Sequence, residues 1–173
     1  MTPTLKYLQG YDPATVARVA QLLQEQRLGQ WLQDKYAQGH GLRTDKALYD
    51  YVQLLRQAHL RGAEPVTKVM FDSKLQVVAH ALGTHTTVAR VQGSRLKAKR
   101  EIRIAALFKD VPAEFLKMIT VHELAHLKER AHDKAFYQLC CHMESNYHQL
   151  EFEVRVYLTH LNAAGARLWA PPA

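Results

Sequence analysis

The sequence predicts an α+β fold: a small, mostly antiparallel sheet packed on an apolar helix, with a helical lobe ahead of it. Three observations carry this. The first third of the chain repeats apolar residues at helical spacing. Residues 66–107 alternate side chains with a period of two. From Pro112 onward the helical period returns. The order helices, strands, helices is that of an α+β domain. The expected division is a helical lobe over 1–62, a core over 63–162 and a flexible tail over 163–173, all within one compact domain.

The elements follow in order. Asp12 and Pro13 form an N-cap and first-turn pair. Val16, Val19, Ala20, Leu23, Leu28, Trp31 and Leu32 then mark one helix running to about Tyr36, broken by Gln38-Gly39-His40-Gly41. Thr44 or Asp45 caps a second helix, with Leu48, Tyr51, Val52, Leu55 and His59 on one face and Gly62 and Pro65 at its close. Val66, Lys68, Met70 and Asp72 alternate with Thr67, Val69 and Phe71, and Thr86 to Val91 is rich in β-branched residues. From Arg95 to Ile104, charged Arg95, Lys97, Lys99, Glu101 and Arg103 interleave with Leu96, Ala98, Arg100, Ile102 and Ile104, so Arg100 alone breaks the apolar face. Pro112 opens the active-site helix, expected to reach about Lys128. Asp133 caps a further helix, Asn146 breaks it, and a last helix starts at His148. Ala163 to Ala173, with Gly165, Pro171 and Pro172, is expected to fray.

The chemistry concentrates in HELAHLKERAH, residues 122–132. On a helix, residues four apart are rotated by about 400°, so His122 and His126 share a face and can reach one metal ion. Glu123 lies about 100° further round, in reach of a metal-bound water. His132 follows the helix and can swing back as a third ligand. Three neutral imidazoles and one open position describe a catalytic zinc site, one ion per chain, although another divalent metal suits the same donors. A histidine near a helix C-terminus also stabilises the dipole there, so His132 is the least determined of the three.

The chain resembles the YgjP-like metallopeptidase family, related to SprT-like and WLM zinc proteases. The resemblance runs through Leu8-Gln9-Gly10-Tyr11, Thr44 to Tyr49, Arg90 to Gly93, Leu96 to Lys99, HELAHLKE, Lys134 to Glu144 and Tyr147 to Phe152. It implies a zincin-like fold over 63–162, a bound divalent metal and hydrolytic activity, with His122, Glu123, His126 and His132 carried over. Some relatives are linked to nucleoside triphosphate pyrophosphohydrolysis instead of proteolysis. One departure stands out: the glycine of the HExxHxxGxxH pattern is Glu129 here. In zincins an edge strand beside the active-site helix pairs with an extended substrate, and Thr86 to Gln92 or Glu101 to Leu107 are the segments available for it.

On this reading the expected activity is a zinc-dependent hydrolase of the metallopeptidase kind, with a peptide or protein substrate and Glu123 as general base. Tyr147, His148 and Tyr137 are candidates to contact the oxyanion or substrate. Glu129 and Asp133 are candidates to orient imidazole N–H groups. Met143 is a candidate floor under the metal, or simple core filling. A second reading is a metal-dependent UTP-like nucleoside triphosphate pyrophosphohydrolase, with Arg95, Lys97, Lys99 and Arg103 against the phosphates. A third is a basic DNA-associated module with a protease-like site.

Composition bounds these readings. The 173 residues carry a formal net charge of +7, which suits a nucleotide, a nucleic acid or an acidic protein. No run of 18 apolar residues predicts a membrane span, and the first residues lack a signal-peptide core, so a cytoplasmic location is expected. Cys140 and Cys141 are adjacent and read as reduced thiols, and two cysteines cannot build a four-cysteine zinc ribbon. His40, His59, His80, His85, His142 and His160 show no ligand spacing, although His80 and His85 border the cleft if the middle strands do.

Overall fold

The computed structural model describes residues 5–75, 83–92 and 95–171, with the backbone alone over 83–92 and 95–99. Six helices and three strands occur among them, an α+β architecture that is mostly helical.

Helix α1 (Pro13–Gln24) starts as expected, with Asp12 Oδ1 accepting from Thr15 N at 3.0 Å. It stops a full turn before the expected continuation, and α2 (Leu28–Lys35) is a separate helix. The break is a left-handed residue, Gln26 at φ 58°, with Arg27 N on Leu22 O at 2.8 Å and Gln26 N on Leu23 O at 3.1 Å. That pair of bonds is a helix-terminating motif normally built on glycine. No glycine marks it here, so periodicity alone runs across it. Helix α3 (Asp45–His59) is capped by Thr44, whose Oγ1 accepts from Ala47 N at 3.1 Å. The Asp45 carboxylate instead accepts from Phe71 N at 2.9 Å and ties α3 to the first strand.

The sheet has three strands in the order β1 (Lys68–Asp72), β3 (Arg95–Ala105), β2 (Gly83–Gln92). β2 and β3 are antiparallel, with Gly83 opposite Ile104 and Gln92 opposite Arg95. β1 runs parallel to β3, Lys68 opposite Glu101 and Asp72 opposite Ala105. The sheet is therefore mixed: its longer ladder is antiparallel, in line with the mostly antiparallel expectation, and its shorter one is parallel. Period-two alternation is blind to strand direction, and only the path of the chain decides it. β3 is central, so Glu101 to Leu107 is not an edge: residues 101–104 are paired on both sides, Ala105 pairs with β1, and Leu107 lies in a short 3₁₀ turn, Ala106–Lys109. Thr86 to Gln92 lies in β2, at an edge of this sheet and against the helix that follows.

That helix, α4 (Ala113–Ala125), is central to the fold, packed between the sheet, α3, α5 (Lys134–Met143) and α6 (Tyr147–Ala164). Phe115, Met118, Ile119, Val121 and Leu124 are each fully buried, as are Ile102 and Ile104 of β3. Asp133 caps α5 through Oδ1 on Phe136 N at 3.0 Å. Gly165, at φ 69°, ends α6.

The residues expected as a loose tail are docked. Trp169 is 5% exposed, packs edge-on against Phe115 and Tyr157, and donates Nε1–H to Tyr36 O at 2.7 Å. Leu168 O accepts from Gln33 at 2.7 Å, and Arg167 pairs with Asp110. A glycine and prolines nearby signal a helix end, not the absence of an anchor. Residues 172 and 173 lie outside the described part.

Candidate metal centre

The apolar character of α4 on nearly every side buries it, and with it His122 (7% exposed) and Glu123 (1%). The helix ends at Ala125, earlier than expected, and His126 is its C-cap. The chain then turns through Leu127 N on Leu124 O at 3.0 Å and Glu129 N on Ala125 O at 2.9 Å. Among the described residues Gln26 is the one non-glycine with positive φ. Glu129 therefore needs no left-handed backbone, and this turn replaces the glycine of the related pattern.

The turn brings His132 back. The ligating nitrogens of His122, His126 and His132 all lie within 4.8 Å of one another, and the Nε2 atoms of His126 and His132 are 3.0 Å apart. A tetrahedral zinc with bonds of about 2.0–2.1 Å holds its nitrogens about 3.4 Å apart, a value these separations bracket. The cluster is buried at His122, half-buried at His126 and exposed at His132, so it opens on the His132 side.

Hydrogen bonding restricts the tautomers. His126 Nδ1 is 2.9 Å from the Glu129 carbonyl oxygen, which can only accept, so Nδ1 carries the proton and Nε2 a bare lone pair. Glu129 thus orients its imidazole through the backbone and not through its carboxylate, and Asp133 is occupied in capping α5. His122 Nδ1 is 2.7 Å from the Tyr147 hydroxyl. Burial, helped by repulsion among the three imidazoles and from Arg155, lowers the His122 pKa to about 3 and keeps the ring neutral, the form a metal needs. Burial lowers His126 as well.

Glu123 follows His122 on the same helix. Both of its carboxylate oxygens are buried without a hydrogen-bond partner among the described residues, and burial raises its pKa to about 8. A buried orphan carboxylate is costly unless a ligand supplies its partner. Three converging imidazoles beside it are donors that suit a divalent cation, and the residues fit such an ion.

Phe136 is the residue that sequence reasoning missed. Its ring centroid lies 5.0, 4.6 and 4.9 Å from those of His122, His126 and His132, so it floors the cluster. In the sequence it is one apolar residue of an amphipathic helix, which gives no sign of that place. Met143 is buried in the core instead.

The remaining candidates separate. Tyr147 is fully buried and bonded to His122, which removes it from the expected contact with substrate. Burial, then the Glu151 and Cys140 charges, push its phenol pKa far up, so it stays protonated. Tyr137 is half-buried, its ring 5.1 Å from Phe136, and the ring of exposed His148 lies tilted at 5.4 Å from that of Tyr137. Neither makes a hydrogen bond to the histidines among the described residues. His40 bonds to Phe108 O and Leu42 N, and His160 to Ala166 O. His59 and His142 meet each other edge to face, at 5.9 Å. His80 and the side chain of His85 lie outside the described residues, as do the side chains of Arg95, Lys97 and Lys99. Arg103 is committed to Asp72 at 3.0 Å and Glu101 at 3.7 Å, which weakens its case as a phosphate ligand. Among the described residues no helix is long and apolar enough to cross a membrane.

The chain matches the family model described as YgjP-like, metallopeptidase domain, over residues 67–155, a span that contains the whole cluster. It is 56% identical over 158 residues to the Escherichia coli (strain K12) protein named UTP pyrophosphatase, covering 91% of this chain and 95% of that protein. No solved structure matches it significantly. The two descriptions both name hydrolases and differ in the bond that is cut.

Proposed function

Because this chain belongs to the YgjP-like family, we propose that it is a metal-dependent hydrolase in which His122, His126 and His132 hold one divalent ion, zinc by preference. The observation that carries this is the convergence of three imidazoles beside the buried Glu123, whose carboxylate has no partner among the described residues. The substrate that fits best is a nucleoside triphosphate of the UTP kind, cut to monophosphate and pyrophosphate. Identity of 56% along nearly the full length of a UTP pyrophosphatase favours it, and so does the net charge of +7.

When bound, the ion supplies Lewis-acid polarisation of the substrate oxygen and lowers the pKa of a bound water toward about 7. The remaining roles belong to the chain. Glu123 takes a proton from the attacking water and returns it toward the leaving group. Burial raises its proton affinity, which suits a group that must hold a proton between the two steps, and the charge of a cation held by the histidines would favour its ionised form beforehand. His126, held by the Glu129 carbonyl, offers Nε2 without rearrangement. Phe136 keeps the inner side of the cluster dry, while the exposed His132 side leaves room for substrate.

Peptide hydrolysis is the second reading. The HELAH order is that of zinc peptidases, and α4 beside edge strand β2 is the arrangement a zincin-like fold uses to pair an extended chain. One experiment separates the two: the zinc-loaded protein is assayed on UTP, other nucleoside triphosphates and casein-derived peptides, with and without chelator. UMP and pyrophosphate are the expected products, lost on chelation. Peptide cleavage with intact UTP would reverse the order of the two readings. Glu123→Gln is expected to keep the metal and lower hydrolysis about 10²–10⁴-fold.

A further inference from the structure

His126 and His122 both use Nδ1 for a hydrogen bond, but their partners differ in kind. His126 meets a carbonyl three residues away, within its own turn. His122 meets Tyr147 Oη at 2.7 Å, a side chain from the first turn of α6. That phenol is fully buried, its ring stacked at 6.4 Å from the His122 ring. One turn further along the same face of α6 stands Glu151, whose charge acts on the Tyr147 phenol. Glu151 Oε1 accepts from Arg155 at 3.3 Å, and Oε2 is buried with no partner among the described residues. Arg155 also donates to Tyr7 O at 3.2 Å, which anchors the group to the chain start of the described fold.

A hydroxyl has one proton and two lone pairs. With a carboxylate one turn away to receive that proton, the lone pairs are left to accept Nδ1–H from His122. The ring then carries its proton on Nδ1 and presents Nε2 to the other two histidines. Tyr147 and Glu151 lie outside HELAHLKERAH, and Tyr147 meets the cluster at His122, its buried member.

We infer that Tyr147, aligned by Glu151, is the positioning residue of His122 and sets the affinity of the histidine cluster for its metal. This rests on the metal-dependent reading above and extends it to two residues of α6. Ligating histidines are commonly tuned in this way by the group that receives their other N–H, and loss of that group costs about 10–100-fold in metal affinity.

The test measures zinc affinity of wild type, Tyr147→Phe and Glu151→Gln by competition with a chromophoric chelator. Cobalt(II) absorption spectra and melting temperatures of the metal-free proteins accompany it. Tyr147→Phe removes only the hydroxyl and keeps the ring packing. It is expected to weaken zinc binding about 10–100-fold and to shift the cobalt bands. Glu151→Gln is expected to shift both in the same direction by less. Unchanged zinc affinity with a lowered metal-free melting temperature would make Tyr147 a packing residue and overturn the inference. If Tyr147→Phe does not fold, Glu151→Gln decides alone, and wild-type affinity in it overturns the inference equally. A wild-type protein that takes up no zinc would overturn the metal reading itself, a result distinct from equal binding by wild type and variants.

Discussion

Arg100 donates from Nη1 to the carbonyl oxygen of Leu127 at 3.0 Å, which bolts the central strand to the turn that follows His126. This explains the one charged residue on the apolar face of β3. A guanidinium at the C-terminal end of α4 also faces the negative end of the helix dipole. Its other partner, Glu64 at 2.6 Å, is 62% exposed and contributes little. Arg100→Leu is expected to cost about 1.5–3 kcal/mol in chemical denaturation, and to weaken zinc binding by releasing the turn that carries His132. Glu64→Gln is expected to change stability by no more than about 0.5 kcal/mol. Equal effects of the two substitutions would refute this assignment.

Trp169 closes the far end of the core. Trp169→Ala removes a buried ring from Phe115 and Tyr157 and the donor to Tyr36 O. A loss of about 3–5 kcal/mol in urea unfolding is expected, as for other buried aromatic truncations. A change within error would restore the picture of a free tail.

A second anchor joins α2 to α6. Glu153 is 1% exposed and accepts from Lys35 at 2.5 Å, Gln149 at 3.0 Å and the Tyr36 hydroxyl. Burial and that carboxylate hold the Tyr36 phenol protonated. Tyr36→Phe deletes one hydrogen bond to a charged acceptor while the ring stays on Phe115. A destabilisation of about 1.5–3 kcal/mol is expected in the denaturation midpoint.

His40 makes stability depend on pH. It is 7% exposed, with Nε2–H on Phe108 O at 2.6 Å and Nδ1 accepting from Leu42 N at 3.0 Å, an arrangement only the neutral ring can make. Burial lowers its folded pKa below the ordinary value of 6.5. The unfolded chain therefore binds a proton that the folded one refuses, so the stability His40 contributes is present above that value and is lost as pH falls below it. Thermal melts of wild type and His40→Gln are expected to converge as pH drops below that value. A constant gap between them across the range would contradict it.

Local physics is legible in the order of residues alone. Asp12, Thr44 and Asp133 cap the helices expected of them, because a cap needs only its own three following residues. His122 and His126 share a face because helix geometry requires it. The break at Gln26 is not legible in this way, because a non-glycine residue adopts a left-handed conformation there without a sequence signal. Nor is the direction of β1, because alternation carries no sense of direction.

The order of residues thus fixes the helical frame and the shared face of His122 and His126 beside Glu123, since these depend on neighbours within one or two turns. The packed core is what brings His132 back onto His126, sets Phe136 under the cluster and places Tyr147 behind His122. Those contacts join segments whose separation depends on how the core packs α4 against α5 and α6, and no local preference encodes that packing.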